Sequence, residues 1–323
     1  MTELQTGPVS VVVVTMNRRA MIEQSLPILL NDSATGEVIV VMDGAEDESL
    51  EFLVEWSKRD GRVKPIWQEN AGAGAARDRG VASARYDVVV LLDDDVMPTQ
   101  SLITQHALRH SCGDVDIVLG YMPTTVPSPR RRGQVATVLY SSDYEETCRG
   151  YEAQPETIWS HFWSGNFSVR RKQAVTIGIR GQMRLDYHED LYFGVRCEEV
   201  GLRAVFDRSA AGQHAHSRNL RSLSREARRS GEARVILLRW FPHLANDLDP
   251  LLVQAGLPRK VIMFLSGEMM RTIMVPALMA SSWSFGVLRV WPLETLTTRV
   301  MRQVELVYAF RKRMKTYVVP RLI

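Results

Sequence analysis

The chain has 323 residues, 45% hydrophobic and 24% charged, close to globular averages, which excludes wholesale disorder and a collagen-like or low-complexity chain. At roughly 100–200 residues per domain, it holds one large domain with an appendage or two modest ones. Cys112, Cys148 and Cys197 lie far apart without CxxC spacing, which argues against a disulfide scaffold or structural zinc and for a reducing compartment. The net charge of +3 hides a polarity: residues 1–200 hold 20 Lys+Arg and 29 Asp+Glu (−9), and residues 201–323 hold 20 and 8 (+12). Such a basic tail suits phosphate groups, a membrane surface or nucleic acid, or is simply a solvated helical face.

The opening MTELQTGPVSVVVV contains Glu3 but no basic segment before its apolar run and no small-residue cleavage site after it. It reads as the start of a cytoplasmic protein, not as a signal peptide. Apolar runs at Val9–Val14, Val38–Met42, Arg62–Trp67, Asp87–Leu92 and Asp116–Gly120 have strand length. They alternate with helix-like segments at Arg18–Leu30, Glu46–Lys58, Gly74–Ala84 and Thr99–His110. Strands separated by single helices describe an α/β fold with a mostly parallel sheet covered on both faces. Right-handed crossovers bring the loops after the strands to one ligand-binding edge. The alternation stops at Pro123–Arg132, an exposed loop with Pro127, Pro129 and consecutive arginines. A second half follows: a helix near Val135–Tyr140, an aromatic segment at Trp159–Trp163, a strand at Asn166–Arg170, a helix at Glu189–Val200 and a strand at Arg203–Phe206. From Ser217 the chain reads as largely helical. Thr272–Leu288 has 17 residues without charge, fewer than the ~20 that cross a bilayer core, and fits packed helices or helices lying in a membrane interface.

The run Val88–Leu92 leads straight into Asp93, Asp94 and Asp95. Strand alternation points Asp93 and Asp95 to one side, where hard oxygens suit Mg2+ or Mn2+; a helix cap needs only one Asp, and three in a row repel without a cation. Asp43 follows the second strand, where it can accept from a base or ribose or hold the turn before Gly44. Glu69-Asn70-Ala71-Gly72-Ala73-Gly74 permits close approach, with Arg77 in reach of a phosphate. Glu189 and Asp190 open a helix, where the dipole favours anions. His214 and His216 form an HxH pair that faces one side of an extended segment. Arg218, Arg221, Arg225, Arg228, Arg229 and Arg234 fall mostly on helical spacing and suit a diphosphate, a lipid phosphate or water equally. Trp159, Trp163 and Tyr187 serve acceptor stacking or core packing.

Six stretches, in order, resemble the family 2 glycosyltransferases of the GT-A fold: Val9 through Arg18, Val40-Val41-Met42-Asp43-Gly44, Glu69 through Gly80, Leu91 through Asp95, Ser164-Gly165-Asn166-Phe167 and His188-Glu189-Asp190. The resemblance covers about residues 8–235 and departs at Met42, where the family has an acid, and at Asp78, where it often has Asn. It implies a GT-A domain over 1–240 and a helical extension over 241–323 that serves packing, membrane-interface contact or oligomerisation. It implies that Asp190, beside Glu189, takes the acceptor proton and that Asp93 and Asp95 bind metal, with His214 and His216 as candidates to complete the shell. Donor contacts are expected at Thr15, Asn17, Asp43, Asn70, Arg77, Asp93, Asp94, Gly165 and Asn166. The implied reaction is an inverting, Mn2+- or Mg2+-dependent transfer from a nucleotide-diphosphate sugar, a UDP-sugar first. The acceptor is a hydroxyl on a glycan, a lipid-linked or a small molecule, met in the cytoplasm or at an anionic inner membrane face. A sugar nucleotidyltransferase is the enzymatic alternative, although Thr15-Met16-Asn17-Arg18 lacks the Gly-rich loop it usually carries. A non-catalytic carbohydrate- or membrane-binding protein of the same fold is the other, against which Asp93, Asp95 and Asp190 stand. No nucleic-acid recognition motif is present, so no such partner is expected.

Overall fold

Valines crowd the first strand, and Val9, Val11, Val12 and Val13 are each no more than 2% exposed, as a strand covered on both faces requires. The computed structural model describes residues 7–181, 185, 187–251 and 258–316; residues 1–6, on which the reading of the N-terminus depends, lie outside that set. Strands and helices first alternate as β1 (Val9–Thr15), α1 (Arg19–Asn31), β2 (Thr35–Asp43), α2 (Ser49–Arg59), β3 (Val63–Gln68), α3 (Ala73–Ser83) and β4 (Val88–Asp93). Next come β5 (Val96–Pro98), α4 (Leu102–Ser111), β6 (Ile117–Tyr121), α5 (Val135–Ala153), β7 (Asn166–Arg170), α6 (Arg171–Ile177), α7 (Glu189–Glu199) and β8 (Ala204–His214). The rest is helical: α8 (Leu220–Trp240), α9 (Ala245–Leu248), α10 (Arg259–Leu265), α11 (Glu268–Val287) and α12 (Trp291–Thr316).

The sheet has eight strands in the order β3-β2-β1-β4-β7-β6-β8-β5. β3, β2, β1 and β4 are parallel to one another, as the alternation predicts. The fifth predicted strand does not continue them. β7 inserts antiparallel between β4 and β6, pairing Leu91 with Phe167 and Leu119 with Phe167. β5 then pairs antiparallel with the end of β8, Val96 opposite His214. Both insertions depend on partners far away in sequence, which local periodicity does not report. Close helix–sheet packing fixes α3 on β1: a Cβ at Gly80 would collide with Val12.

Two compact units emerge, one of residues 1–125, 144–184 and 189–216, the other of 126–143, 185–188 and 217–323. α8 falls in the same unit as the helices that follow it. In the second unit Leu223 of α8 shares a core with Val135, Leu139, Ile262, Val275, Met301, Val304 and Val307. Buried Glu305 accepts from Ser224 at 2.9 Å and pairs with Arg271 at 3.2 Å. A Cβ at Gly231 would strike the Leu306 carbonyl and come within 3.0 Å of the Phe310 nitrogen. Gly231→Ala should therefore lower stability by about 1–3 kcal/mol, read as a fall in urea midpoint; an unchanged midpoint would show that the α8–α12 crossing is looser than this. Among the described residues no single helix is long and apolar enough to cross a membrane; α10 and α11 together have that composition but meet at 95°.

Candidate active site

The acidic turn is held from both sides. The Asp93 amide donates to the Gly165 carbonyl at 2.9 Å, because β7 runs back along β4. Gly165 has room for no side chain: a Cβ would lie 2.6 Å from Met122 Sδ and 3.1 Å from Asp93 Oδ2. β4 ends at Asp93 and Asp94–Asp95 turn, so strand alternation does not reach Asp95 and the three carboxylates go to three different environments. None of them caps α4: its Ile103 and Thr104 amides donate instead to Asp32 Oδ2, at 3.0 and 3.1 Å.

Asp94 turns inward. Thr15 Oγ1 donates to it at 2.7 Å and Arg18 Nη1 at 2.8 Å. Burial raises its pKa against the pull of Thr15 and Arg18. Asp95 meets the histidines because β5 pairs with β8 in the Val96–His214 register, and the Ala215 amide donates to the Asp95 carbonyl at 2.7 Å. His214 Nε2 lies 3.3 Å and His216 Nδ1 3.8 Å from the Asp95 carboxylate. The two rings stack with centroids 4.9 Å apart, so the HxH pair does face one side. Burial alone would raise the Asp95 pKa, but hydrogen bonds from His214, His216 and Arg18 outweigh it and hold the carboxyl far below its usual range. One ligand atom from each of Asp95, His214 and His216 lies within 4.8 Å of the others. This is the cation-ready donor set among the described residues, and it does not include Asp93. Thr124 Oγ1 stands 3.4 Å from His214 Nδ1, the kind of outer contact that orients a ligating imidazole.

Asp93 belongs to a second cluster, built around Arg77 on α3. The buried guanidinium donates to Asp93 at 2.6 Å and to Glu189 at 3.1 Å, tying the end of β4 to the start of α7. Burial opposes the charge on Arg77, and the carboxylates of Asp93 and Glu189 more than compensate, raising its pKa. Asp190 follows Glu189 into the first turn of α7 and accepts from the Leu191 amide at 2.8 Å. Burial pushes the Asp190 carboxyl from its usual 3.8 up to about 6; the negative charges of Glu189 and Asp93 add to the rise, and the Leu191 hydrogen bond and Arg77 limit it. Close packing of the start of α3 on the segment after α6 accompanies this: a Cβ at Gly74 would lie 3.2 Å from Arg180 Cα and 3.4 Å from Glu189 Oε2.

Arg77 was expected on a phosphate; its hydrogen bonds go to carboxylates, because three acids share its pocket. Arg77→Met should leave Asp93, Glu189 and Asp190 repelling one another without a cation. A stability loss of about 1–3 kcal/mol is expected, and an Asp190 pKa above its present value, measurable by NMR titration. An unmoved Asp190 pKa would separate the two groups.

The remaining expected donor contacts divide. Asp43 is 4% exposed and accepts from Gln68 Nε2 and the Ala71 and Gly72 amides at 2.8, 2.8 and 2.9 Å. It therefore builds the turn into α3. Asn70 borders the same turn, its Nδ2 3.3 Å from Met16 Sδ. Asn17 holds the loop after β1 with a left-handed φ of 55° and accepts from the Glu46 amide at 2.7 Å. Thr15 is buried and serves Asp94. Asn166 does not open onto the site: 1% exposed, it bonds His106 Nε2 at 3.0 Å and the Ala210 carbonyl at 2.9 Å, so it locks β7 to the sheet interior. Trp159 is buried in the core and Trp163 packs on Tyr144 at 4.9 Å, while Tyr187 packs edge-on to His188 at 4.7 Å. Arg234 of the basic run donates to the Leu248 carbonyl at 3.1 Å. Arg18 was not singled out. It bridges Asp94 and Asp95, each at 2.8 Å, and its position just past the first strand was the available signal.

The chain matches a family model described as "Glycosyl transferase family 2" over residues 10–176. It is 37% identical over 117 residues to EpsH of Bacillus subtilis (strain 168), a protein named as a glycosyltransferase, with 36% of this chain and 34% of that one covered. It is 24% identical over 209 residues to the uncharacterized glycosyltransferase YibD of Escherichia coli (strain K12), covering 60% of this chain and 57% of that one. The match to EpsH thus spans about a third of that relative's length. A mannosyltransferase, PcManGT from Pyrobaculum calidifontis, solved in complex with GDP-Man and Mn2+, has a similar fold. The TM-score is 0.62 at 16% identity, over 97% of this chain and 90% of that one. S. aureus TarS 1–349 aligns with a TM-score of 0.53 at 15% identity, over 94% and 91%.

Proposed function

Because the chain belongs to glycosyl transferase family 2 and has the GT-A fold of its structural neighbours, we propose that it transfers a sugar from a nucleotide-diphosphate donor to an acceptor hydroxyl with inversion. The observation that carries the reading is the two-sided acidic turn: Asp95 faces His214 and His216, while Asp93 faces Arg77, Glu189 and, through them, Asp190. A leaving-diphosphate end and a proton-accepting end thereby meet across two residues at the end of β4.

Asp95, His214 and His216 fit a divalent cation in their chemistry, one carboxylate with two imidazoles. Imidazole nitrogens favour Mn2+ over Mg2+, which takes oxygen almost exclusively. When bound there, the ion would supply positive charge to the departing diphosphate. Arg18 already neutralises Asp94 and Asp95 from the same side and offers a guanidinium to phosphate oxygens. Arg77 fixes Asp93 and Glu189, so that the Asp190 carboxylate keeps its orientation at the opening of α7. Asp190 takes the proton of the acceptor hydroxyl as that oxygen attacks the anomeric carbon from the face opposite the leaving group. Its raised pKa makes it a better base near neutrality than an ordinary aspartate.

GDP-mannose comes first in a donor screen, since PcManGT was solved with it, and UDP-sugars come second; glycan, lipid-linked and small-molecule hydroxyls are the acceptor classes. Release of nucleoside diphosphate from a panel of GDP- and UDP-sugars, with Mn2+ and with chelator, tests the reading. Mn2+-dependent release from at least one donor is expected. Turnover of none, or activity equal in chelator, would defeat it, and formation of nucleotide-sugar from nucleoside triphosphate and sugar phosphate would favour the nucleotidyltransferase.

A further inference from the structure

The end of the second unit formed by α11 and α12 exposes apolar surface that the active site does not use. Along α11, Met269, Ile273, Pro276, Ala280, Trp283 and Val287 are exposed and recur every three or four residues, which places them on one stripe. Met269 is 74%, Ile273 62% and Trp283 55% exposed. The turn into α12 continues the stripe with Leu288 at 69%, and α12 adds Leu293 at 42% and Leu296 at 54%. A helix of 20 residues makes this face about 30 Å long, more than scattered surface apolars account for.

Arginines border it. Arg132 lies over the Trp283 ring at 5.3 Å and Arg130 over Trp291 at 4.8 Å. Arg289 stands in the turn with a left-handed φ of 58°. Arg299 and Arg130 line a cavity of about 390 Å³ together with Trp291, Pro292, Thr295 and Leu296. Of the acids here, Glu294 is 2% exposed and paired with Arg130 at 2.6 Å, while Glu268 is exposed at the far end of α11, so the rim at the α11–α12 turn presents positive charge to solvent.

We propose that this face docks on an anionic lipid bilayer, with α11 lying in the interface, Trp283, Leu288 and Leu296 at the acyl boundary and the arginines at the phosphate level. An apolar face with a Lys/Arg rim is the interfacial pattern. Charge decides between occupants. Two copies packed across a two-fold axis would set Arg132, Arg289 and Arg299 against one another, whereas lipid phosphates complement them. The proposal is independent of the donor and base assignments.

Flotation of the full chain with phosphatidylcholine vesicles, with and without phosphatidylglycerol, tests it. The chain should float with the anionic vesicles and not with the neutral ones, and lose binding at high salt. Arg289→Glu with Arg299→Glu, and separately Leu288→Glu with Leu296→Glu, should each weaken partitioning about tenfold or more. These side chains are exposed, and circular dichroism melts of both variants should match the parent. Recovery in the soluble fraction with both vesicle types, equal binding to both, undiminished binding by both variants, or a dimer in sedimentation that Leu288→Glu with Leu296→Glu dissociates would overturn it.

Discussion

Asp190→Asn should leave nucleotide-sugar binding nearly unchanged and lower turnover by about 10²–10⁴-fold, the range that a positioned base contributes. The substitution keeps the shape of the side chain and its contact with the Leu191 amide but removes the proton acceptor. The pH dependence follows with a definite sign. As the proposed base, Asp190 must be the carboxylate, and burial raises its pKa to about 6, so kcat/KM of the parent should be flat above that pH and fall tenfold per unit below it. Stability moves in the opposite direction. A carboxyl whose folded pKa is raised contributes stability below its unfolded value, and this is lost as pH rises through the folded value. The rise from 3.8 to about 6 corresponds to about 3 kcal/mol of penalty on the charged form. Asp190→Asn should therefore melt higher than the parent at pH 7.5 and not at pH 4. Full turnover in the variant would remove Asp190 as the base; a lower melting temperature at both pH values would show that its charge is not strained.

Asp95→Ala should abolish divalent-cation binding and lower turnover by about 10³-fold, since the charge neutralisation it anchors is worth several kcal/mol. Asp93→Asn should behave differently. Asp93 bonds Arg77 and not the histidines, so the variant is expected to keep cation affinity in the absence of nucleotide while losing turnover through a loosened Arg77–Glu189 link. Titration calorimetry with Mn2+ on the two variants separates these outcomes. Equal loss of Mn2+ affinity in both would restore the expectation that Asp93 and Asp95 ligate together.

Much of the architecture was legible because its signal is local. The β-branched runs of β1, β2 and β4 and the Asn166–Arg170 strand announce themselves by composition, and the chemistry-bearing residues sit just after strands, where open α/β sheets bind ligands. The rest depends on contacts that no local pattern carries. The length of α5 was underread: its buried positions Tyr144, Cys148 and Tyr151 have helical spacing, but they are set among the polar residues Ser141 through Arg149. The insertion of β7 beside β4 is a pairing across 74 or more positions, which periodicity cannot carry. Pairing Asp93 with Asp95 by alternation requires the strand to continue; it ends at Asp93, and the turn sends Asp93 to Arg77 and Asp95 to the histidines, with Arg18 shared by Asp94 and Asp95. The carboxamide of Asn166 bonds the buried His106 and a backbone carbonyl, and no one-dimensional pattern distinguishes a buried Asn from an exposed one. The Asp95–histidine contact depends on the β5–β8 register, two segments far apart in the chain, and Arg18 reaches Asp94 and Asp95 from the loop after β1.

Pulsed electron paramagnetic resonance of Mn2+ bound to the protein with nucleoside diphosphate addresses the cation site itself. Nitrogen couplings from two imidazoles are expected, one lost in His214→Ala and the other in His216→Ala, with no protein-bound Mn2+ in Asp95→Ala. Bound Mn2+ without imidazole nitrogen coupling, or Mn2+ retained by Asp95→Ala, would contradict it.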